Sequence, residues 1–203
     1  MDKQVEKLIA GVSRETYETV ARGVLNDDLA TLVGTPEWQP VGGRHADLQT
    51  VAVLKCSGKA ISGGIEKAWS AVLKHIDLTV EKNPGSMWMN PLNEIALYRD
   101  GTFADSAVPF RAAKCYRVDE PKPGRFSVWL EDLSNTTVPP WSADEYERAS
   151  GFLGQFQGNI LAERTRLPYV ENIDIYKHRW EGWHFDRVLK VLLEQPDHPE
   201  IKS

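Results

Sequence analysis

Lys74 stands near the end of the apolar run "WSAVLKHI" at 69–76. Lysine is rarely buried without a partner, so either it lies on an exposed strand face or an anion meets it. Glu94 follows 20 positions later in "NPLNEIALY", and the carboxylates Glu131 and Asp132 close the run "VWLEDL" at 128–133. A flexible ammonium grips phosphate well when a second group fixes its position, and a carboxylate carried on a helix supplies that. Glu131 and Asp132 do not form an acid–base pair, because neighbouring side chains on an extended segment point to opposite faces. The backbone of Leu130, Glu131, Asp132 and Leu133 offers donors and acceptors along an edge instead, with turn capping the plainer role for Asp132. For Lys74 the plainer role is that of an exposed-face lysine, and Glu94 stands or falls with it.

Other reactive side chains suggest less. Cys56 and Cys115 are 59 positions apart in apolar surroundings, without the spacing of a zinc site or redox pair, and read as small buried thiols in a reducing compartment. His178 and His184 are six apart, which does not place them on one helical face, and no acid completes a metal set around them. Trp69, Trp88, Trp129 and Trp141 read as core or junction aromatics.

The elements that would position Lys74 and Glu94 are legible in outline. Apolar residues from Tyr17 to Val33 in "SRETYETVARGVLNDDLATLVG" (13–34) have helical spacing behind Ser13 as N-cap, which predicts one helix and a short second one. "LQTVAVLKCS" (48–57) and "KAWSAVLKHIDL" (67–78) flank the glycine-bearing "SGKAISGG" and predict an antiparallel hairpin with Lys74 late in its second strand. "LNEIALYRDG" (92–101) predicts a helix ended by Gly101. Two β-like segments, 112–118 and 125–133, flank the turn "DEPKPG". Ser142 and Glu145 have capping-box spacing ahead of a long amphipathic helix, whose Gly154 and Gly158 would allow close packing; a further helix is expected over 175–195. Strands and one helix first, helices after, make an α+β chain, divided here into 1–133 and 134–203.

With 203 residues, 41% hydrophobic, seven tryptophans and a net charge of −5, the chain can bury a core and lacks the clustered basic residues of a nucleic-acid binder. No apolar run approaches the ~20 residues of a membrane span, and the charged N-terminus is no secretory signal, so a cytoplasmic location is expected.

Five stretches carry a likeness in order: W-x-x-V-L-K at 69–74, E-x-x-x-Y at 94–98, a loosened P-x-x-Y-x-V ending at Val118, W-L-E-D at 129–132 and L-G-x-F-x-G at 153–158. Together, over roughly 38–190, the chain resembles the aminoglycoside-phosphotransferase-like (choline-kinase-like) small-molecule kinases, which share the protein-kinase fold. The resemblance implies a kinase-like N-lobe, an antiparallel sheet with one helix, followed by the first helices of an incomplete helical C-lobe. It implies that Lys74 contacts the α/β-phosphates of ATP, that Glu94 is its helix partner, and that Leu130, Glu131, Asp132 and Leu133 form an adenine hinge. Gly42 and Gly43 in "PVGGRHADLQ" stand where a phosphate-covering loop would be, without G-x-G-x-x-G.

The fold also needs an H-x-D-x-x-x-x-N segment and a later metal-binding aspartate. His45-Ala46-Asp47 and His184-Phe185-Asp186 are followed, five residues after the aspartate, by Ala52 and Val191, and no D-F-G or D-x-D triplet occurs. No catalytic residue and no Mg²⁺ ligand is therefore expected within the 203 residues. The expectation is the front part of a longer kinase of a small-molecule hydroxyl, inactive alone and self-associating through exposed C-lobe helices. The alternative is a non-catalytic, pseudokinase-like scaffold that binds a nucleotide or a partner.

Overall fold

Ser13 starts the first long helix as its type demands. Its hydroxyl accepts from the Thr16 amide at 3.1 Å while its backbone stays extended. The helix, α2 (Arg14–Leu25), ends on Asn26, whose left-handed backbone (φ 51°) turns its N–H onto the Arg22 carbonyl. A shorter helix, α1 (Lys3–Ala10), precedes it. The structure, a computed structural model, describes residues 3–41, 49–80, 91–99, 112–136 and 141–162. Gly42, Gly43, Trp88, Gly101 and the helix expected over 175–195 lie outside the described residues.

The short second helix expected before Gly34 is replaced by strand β1 (Thr31–Pro40). Leu25, Leu29, Leu32 and Val33 mimic helical spacing, but Gly34 and Pro36 follow at once, and a proline two residues on removes a helical hydrogen bond. β1 accommodates them in a register shift between Val33 and Glu37, with Gly34 at φ 71°. An edge strand tolerates a proline at such an irregularity.

The remaining strands are β2 (Thr50–Ser62), β3 (Ile65–Asp77), β4 (Cys115–Lys122) and β5 (Arg125–Glu131). They form one antiparallel sheet in the order β1-β2-β3-β5-β4. The β2–β3 hairpin matches the sequence expectation, though its turn is only Gly63-Gly64. Their φ values of 59° and 78° suit a two-residue turn with both central residues left-handed, which other residue types adopt at a cost. Helix α3 (Pro91–Arg99) lies between β3 and β4 in the chain.

Alternation along β3 assigns its two faces. Trp69, Ala71 and Leu73 pack with Tyr17, Val20 and Ala21 of α2 and with Leu32, Cys56 and Trp129. Ile76 points the other way and packs with Ile95 of α3, Phe126 and Val128. Val5 of α1 covers Ala52 and Leu54. Helix α4 (Ala143–Ala162) follows the predicted capping box: the Ser142 amide donates to Glu145 Oε2 at 2.7 Å, and the Glu145 amide to Ser142 Oγ at 3.3 Å. Among the described residues nothing lies within 4 Å of a Cβ built on Gly154 or Gly158, so the close approach expected there is not found. No described helix is long and apolar enough to cross a membrane.

One polar cluster interrupts the face that α1 and α2 cover. His75 and Ser127 are both buried, with His75 Nδ1 and Ser127 Oγ 3.2 Å apart, and Asp77 beside them pairs with Arg125 at 3.0 Å. Burial pushes the His75 imidazole below its ordinary value; Arg125 adds to this, while Asp77 and the Phe126 backbone oppose it. The folded state therefore resists a proton that the unfolded chain accepts below about pH 6.5. The contribution of neutral His75 is intact above that pH and declines as pH falls towards the depressed folded value. Urea midpoints are expected to drop between about pH 7.5 and 5.5, and less in His75→Gln; equal pH slopes in both proteins would count against the buried, neutral imidazole.

Candidate functional site

On the α3 side of the sheet, Lys74 sits between Val53 of β2 and Val128 of β5. Its Nζ reaches Glu94 Oε2 at 2.5 Å. Glu94 is held there because the next residue, Ile95, is 1% exposed and pins α3 to Ile76, Phe126 and Val128. Farther along the helix, Arg99 lies over the Phe126 ring, 5.4 Å from its centroid. The side chains of Lys74 and Glu94 keep 24% and 36% of their exposure, so solvent screens the pair and it adds only about 0–1 kcal/mol to stability. One helical turn on, burial first and Glu94 second push the Tyr98 hydroxyl up to about 12, leaving it protonated at neutral pH.

A second lysine shares this face. The tetrapeptide A-V-L-K occurs at 52–55 as well as at 71–74. The two copies pair antiparallel, Val53 opposite Lys74 and Lys55 opposite Val72. Both ammonium groups thus stand on one face, each with its own carboxylate. Lys55 Nζ meets Asp132 Oδ2 at 2.7 Å and also donates to Ser134 Oγ at 3.0 Å. Ser70 Oγ donates to the same Asp132 oxygen at 2.7 Å, and the Ser134 amide donates to Asp132 Oδ1 at 3.0 Å. Between the two ion pairs Val53, Val72 and Leu130 are half-buried, an apolar floor flanked by cations.

The four residues of the expected hinge divide. Leu130 and Glu131 still belong to β5, opposite Val72 and Ala71. The Glu131 amide donates to the Lys114 carbonyl at 2.8 Å, and Glu131 Oε2 accepts from the Lys114 amide at 3.1 Å. Asp132 and Leu133 follow the strand in a turn, where the Leu133 carbonyl accepts from the Thr136 amide at 2.9 Å. Asp132 caps this turn and ties it to β2 and β3. Glu131 and Asp132 engage different partners, in keeping with their opposite directions. Neither Lys55 nor Ser70 was singled out by the sequence patterns, although the repeated A-V-L-K was the signal for the first.

Burial works against ionisation of Asp132, but the hydrogen bonds from Lys55, Ser70 and Ser134 outweigh it and hold the carboxyl well below the ordinary carboxylate range. A group depressed in this way contributes stability above its unfolded value and loses it as pH falls further. Asp132→Asn is expected to cost about 1.5–3 kcal/mol at neutral pH, the worth of hydrogen bonds to a charged group. Denaturant titrations should show the difference from wild type shrinking below about pH 3.9. A pH-independent difference would mean that the charge of Asp132 is not what matters.

Among the described residues, no three His, Cys, Asp or Glu side chains converge to hold a metal ion. No protein-family model, no curated protein and no solved structure matches this chain.

Proposed function

We propose that this chain is the ATP-gripping part of a kinase-like phosphotransferase that acts on a small-molecule hydroxyl. The observation that carries the proposal is the Lys74–Glu94 pair at 2.5 Å, joining a central strand to helix α3, which lies between β3 and β4 in the chain. Three further features support it. The sheet runs β1-β2-β3-β5-β4, and the segment with Gly42 and Gly43 connects β1 to β2. The half-buried Val53, Val72 and Leu130 supply an apolar surface for a purine beside the cation. Asp132 anchors the segment that follows β5, which fixes the edge where a base would be read.

On this reading Lys74 holds phosphate, Glu94 holds Lys74, and the backbone at Asp132 and Leu133 reads the purine edge. Magnesium would screen the phosphate charge during transfer, but the described residues offer no set of ligands for it, and no step is assigned to it. The 203 residues also contain no H-x-D-x-x-x-x-N segment, so the proposal assigns them binding and not transfer. That same absence favours the second reading, a non-catalytic scaffold of kinase-like build. α4 exposes Tyr146 and Leu153, and self-association through it is part of the proposal, read by light scattering against concentration.

Thermal unfolding with and without ATP tests nucleotide binding directly. ATP at about 100 times its dissociation constant should stabilise the protein by about 2.7 kcal/mol. An unchanged midpoint up to millimolar ATP would leave the scaffold, without nucleotide, as the reading.

A further inference from the structure

The residue after Lys74 points away from the nucleotide face into a separate cavity of about 520 Å³ on the back of the sheet. Val5, Lys7 and Leu8 of α1 line one side, His75, Ser127 and Trp129 another, and the β4–β5 hairpin at Asp119–Lys122 a third. This volume is that of a small-molecule site, and its combination of apolar walls with a few buried polar groups is the usual make-up of one. His75, Ser127 and Asp77 are each more than nine-tenths buried. Each is satisfied within the wall, His75 with Ser127 at 3.2 Å and Asp77 with Arg125 at 3.0 Å, so these polar groups are held in place where they line the cavity.

The charges around the cavity point to the sign of an occupant. Each acid on its wall has an arginine: Asp77 pairs with Arg125 at 3.0 Å, Asp119 with Arg117 at 2.6 Å and Glu120 with Arg99 at 3.9 Å. Two cations are left over. Lys7 on α1 and Lys122 at the end of β4 are exposed on the lining, and among the described residues neither has an ion pair. The balance is a chamber with an apolar part at Val5, Leu8, Val12 and Trp129, a hydroxyl and an imidazole in its wall and, among the described residues, two ammonium groups without an ion pair. An isolated phosphate would find no guanidinium to spare, because Arg99, Arg117 and Arg125 are all engaged.

We propose that this cavity binds a small amphipathic carboxylate, its apolar body against Val5, Leu8 and Trp129 and its carboxylate facing Lys7 and Lys122. Ser127 and His75 supply the donor–acceptor pair for a second polar atom of the ligand. The site is independent of the nucleotide proposal: it lies on the opposite face of β3 and shares no residue with Lys74, Glu94 or Asp132.

Naphthalene-1-acetate and its amide, the same shape with and without the charge, are suitable probes for isothermal titration calorimetry on the full chain. The acid should bind about tenfold more tightly than the amide, the effect of one or two screened ion pairs. The double variant Lys7→Gln/Lys122→Gln, altered only at exposed positions and therefore expected to fold, should bring the acid down to the affinity of the amide. Lys74→Ala should leave the acid unaffected. Equal affinity of acid and amide would overturn the proposal, as would unchanged acid binding in the double variant. Absence of heat from either probe up to about 1 mM would overturn it too.

Discussion

Lys74→Ala is expected to weaken ATP binding by about ten- to one-hundredfold while leaving the unfolding midpoint almost unchanged. The binding loss follows from the worth of a charge-assisted hydrogen bond, about 1.5–3 kcal/mol, at about 1.4 kcal/mol per tenfold. Stability should barely respond because Lys74 and Glu94 keep 24% and 36% of their side-chain exposure and solvent screens them. Removing Lys74 does leave Glu94 without its partner, but a carboxylate this exposed recovers water at little cost. Glu94→Gln separates gripping from positioning. It keeps the shape and one acceptor but loses the charge, so the ammonium wanders and affinity should fall by about threefold, less than in Lys74→Ala. Calorimetric titration of ATP into the three proteins, with circular dichroism melts as the folding control, gives both quantities. Equal ATP affinity in wild type and Lys74→Ala would remove phosphate gripping from this lysine, and the pair would then be a surface ion pair that steadies α3.

Why Lys74 and Glu94 could be anticipated, and Lys55 and Asp132 as a pair could not, is a matter of range. Lys74 and Glu94 occur in an order, strand lysine then helix acid, that the chain itself displays. The partnership of Lys55 with Asp132 depends on the β2–β3 register and on β5 lying beside β3, neither of which a local pattern reports. Once the turn is placed at Gly63-Gly64, Lys55 opposite Val72 and Ser57 opposite Ser70 follow from strand alternation. The long helix α4 was legible to its first residue because a capping box is local chemistry. β1 was illegible for the opposite reason: four apolar residues at helical intervals outweighed Gly34 and Pro36 until the pairing with β2 resolved the conflict. That Leu130 and Glu131 are still strand, while Asp132 and Leu133 lie beyond it, depends on the pairing of Glu131 with Lys114, which no local pattern reports. The buried His75 was hidden by its neighbour, because a sequence that draws attention to Lys74 says nothing of what alternation sends to the other face.

That other face carries the second large effect. Trp129→Ala is expected to destabilise the protein by about 3–5 kcal/mol, the cost of removing a large aromatic side chain from a closed core. Trp129 is 1% exposed and its ring lies 6.3 Å from Tyr17 and 5.7 Å from Trp38. It therefore joins α2, β1 and β5 in one contact set that no smaller residue spans. The edge-to-face approach to Tyr17, with an interplanar angle of 78°, adds about 0.5–1.5 kcal/mol beyond buried area. A domain with about 5–15 kcal/mol in hand loses a large share of it, and a fall in melting temperature of roughly 10 °C or more should follow. Trp141→Ala is the matched control: Trp141 is half-buried and its ring meets the exposed Tyr146 at a tilt of 56° with centroids 5.2 Å apart, so its loss should cost less than about 1 kcal/mol. Side chains 129 and 130 leave β5 on opposite faces, so Trp129→Ala that is still folded at low temperature should keep ATP affinity within about threefold, the inverse of Lys74→Ala. A Trp129→Ala protein as stable as wild type would mean that α2 does not cover this face. Intact stability with lost ATP binding would place Trp129 in the nucleotide site and reverse the assignment of the two faces.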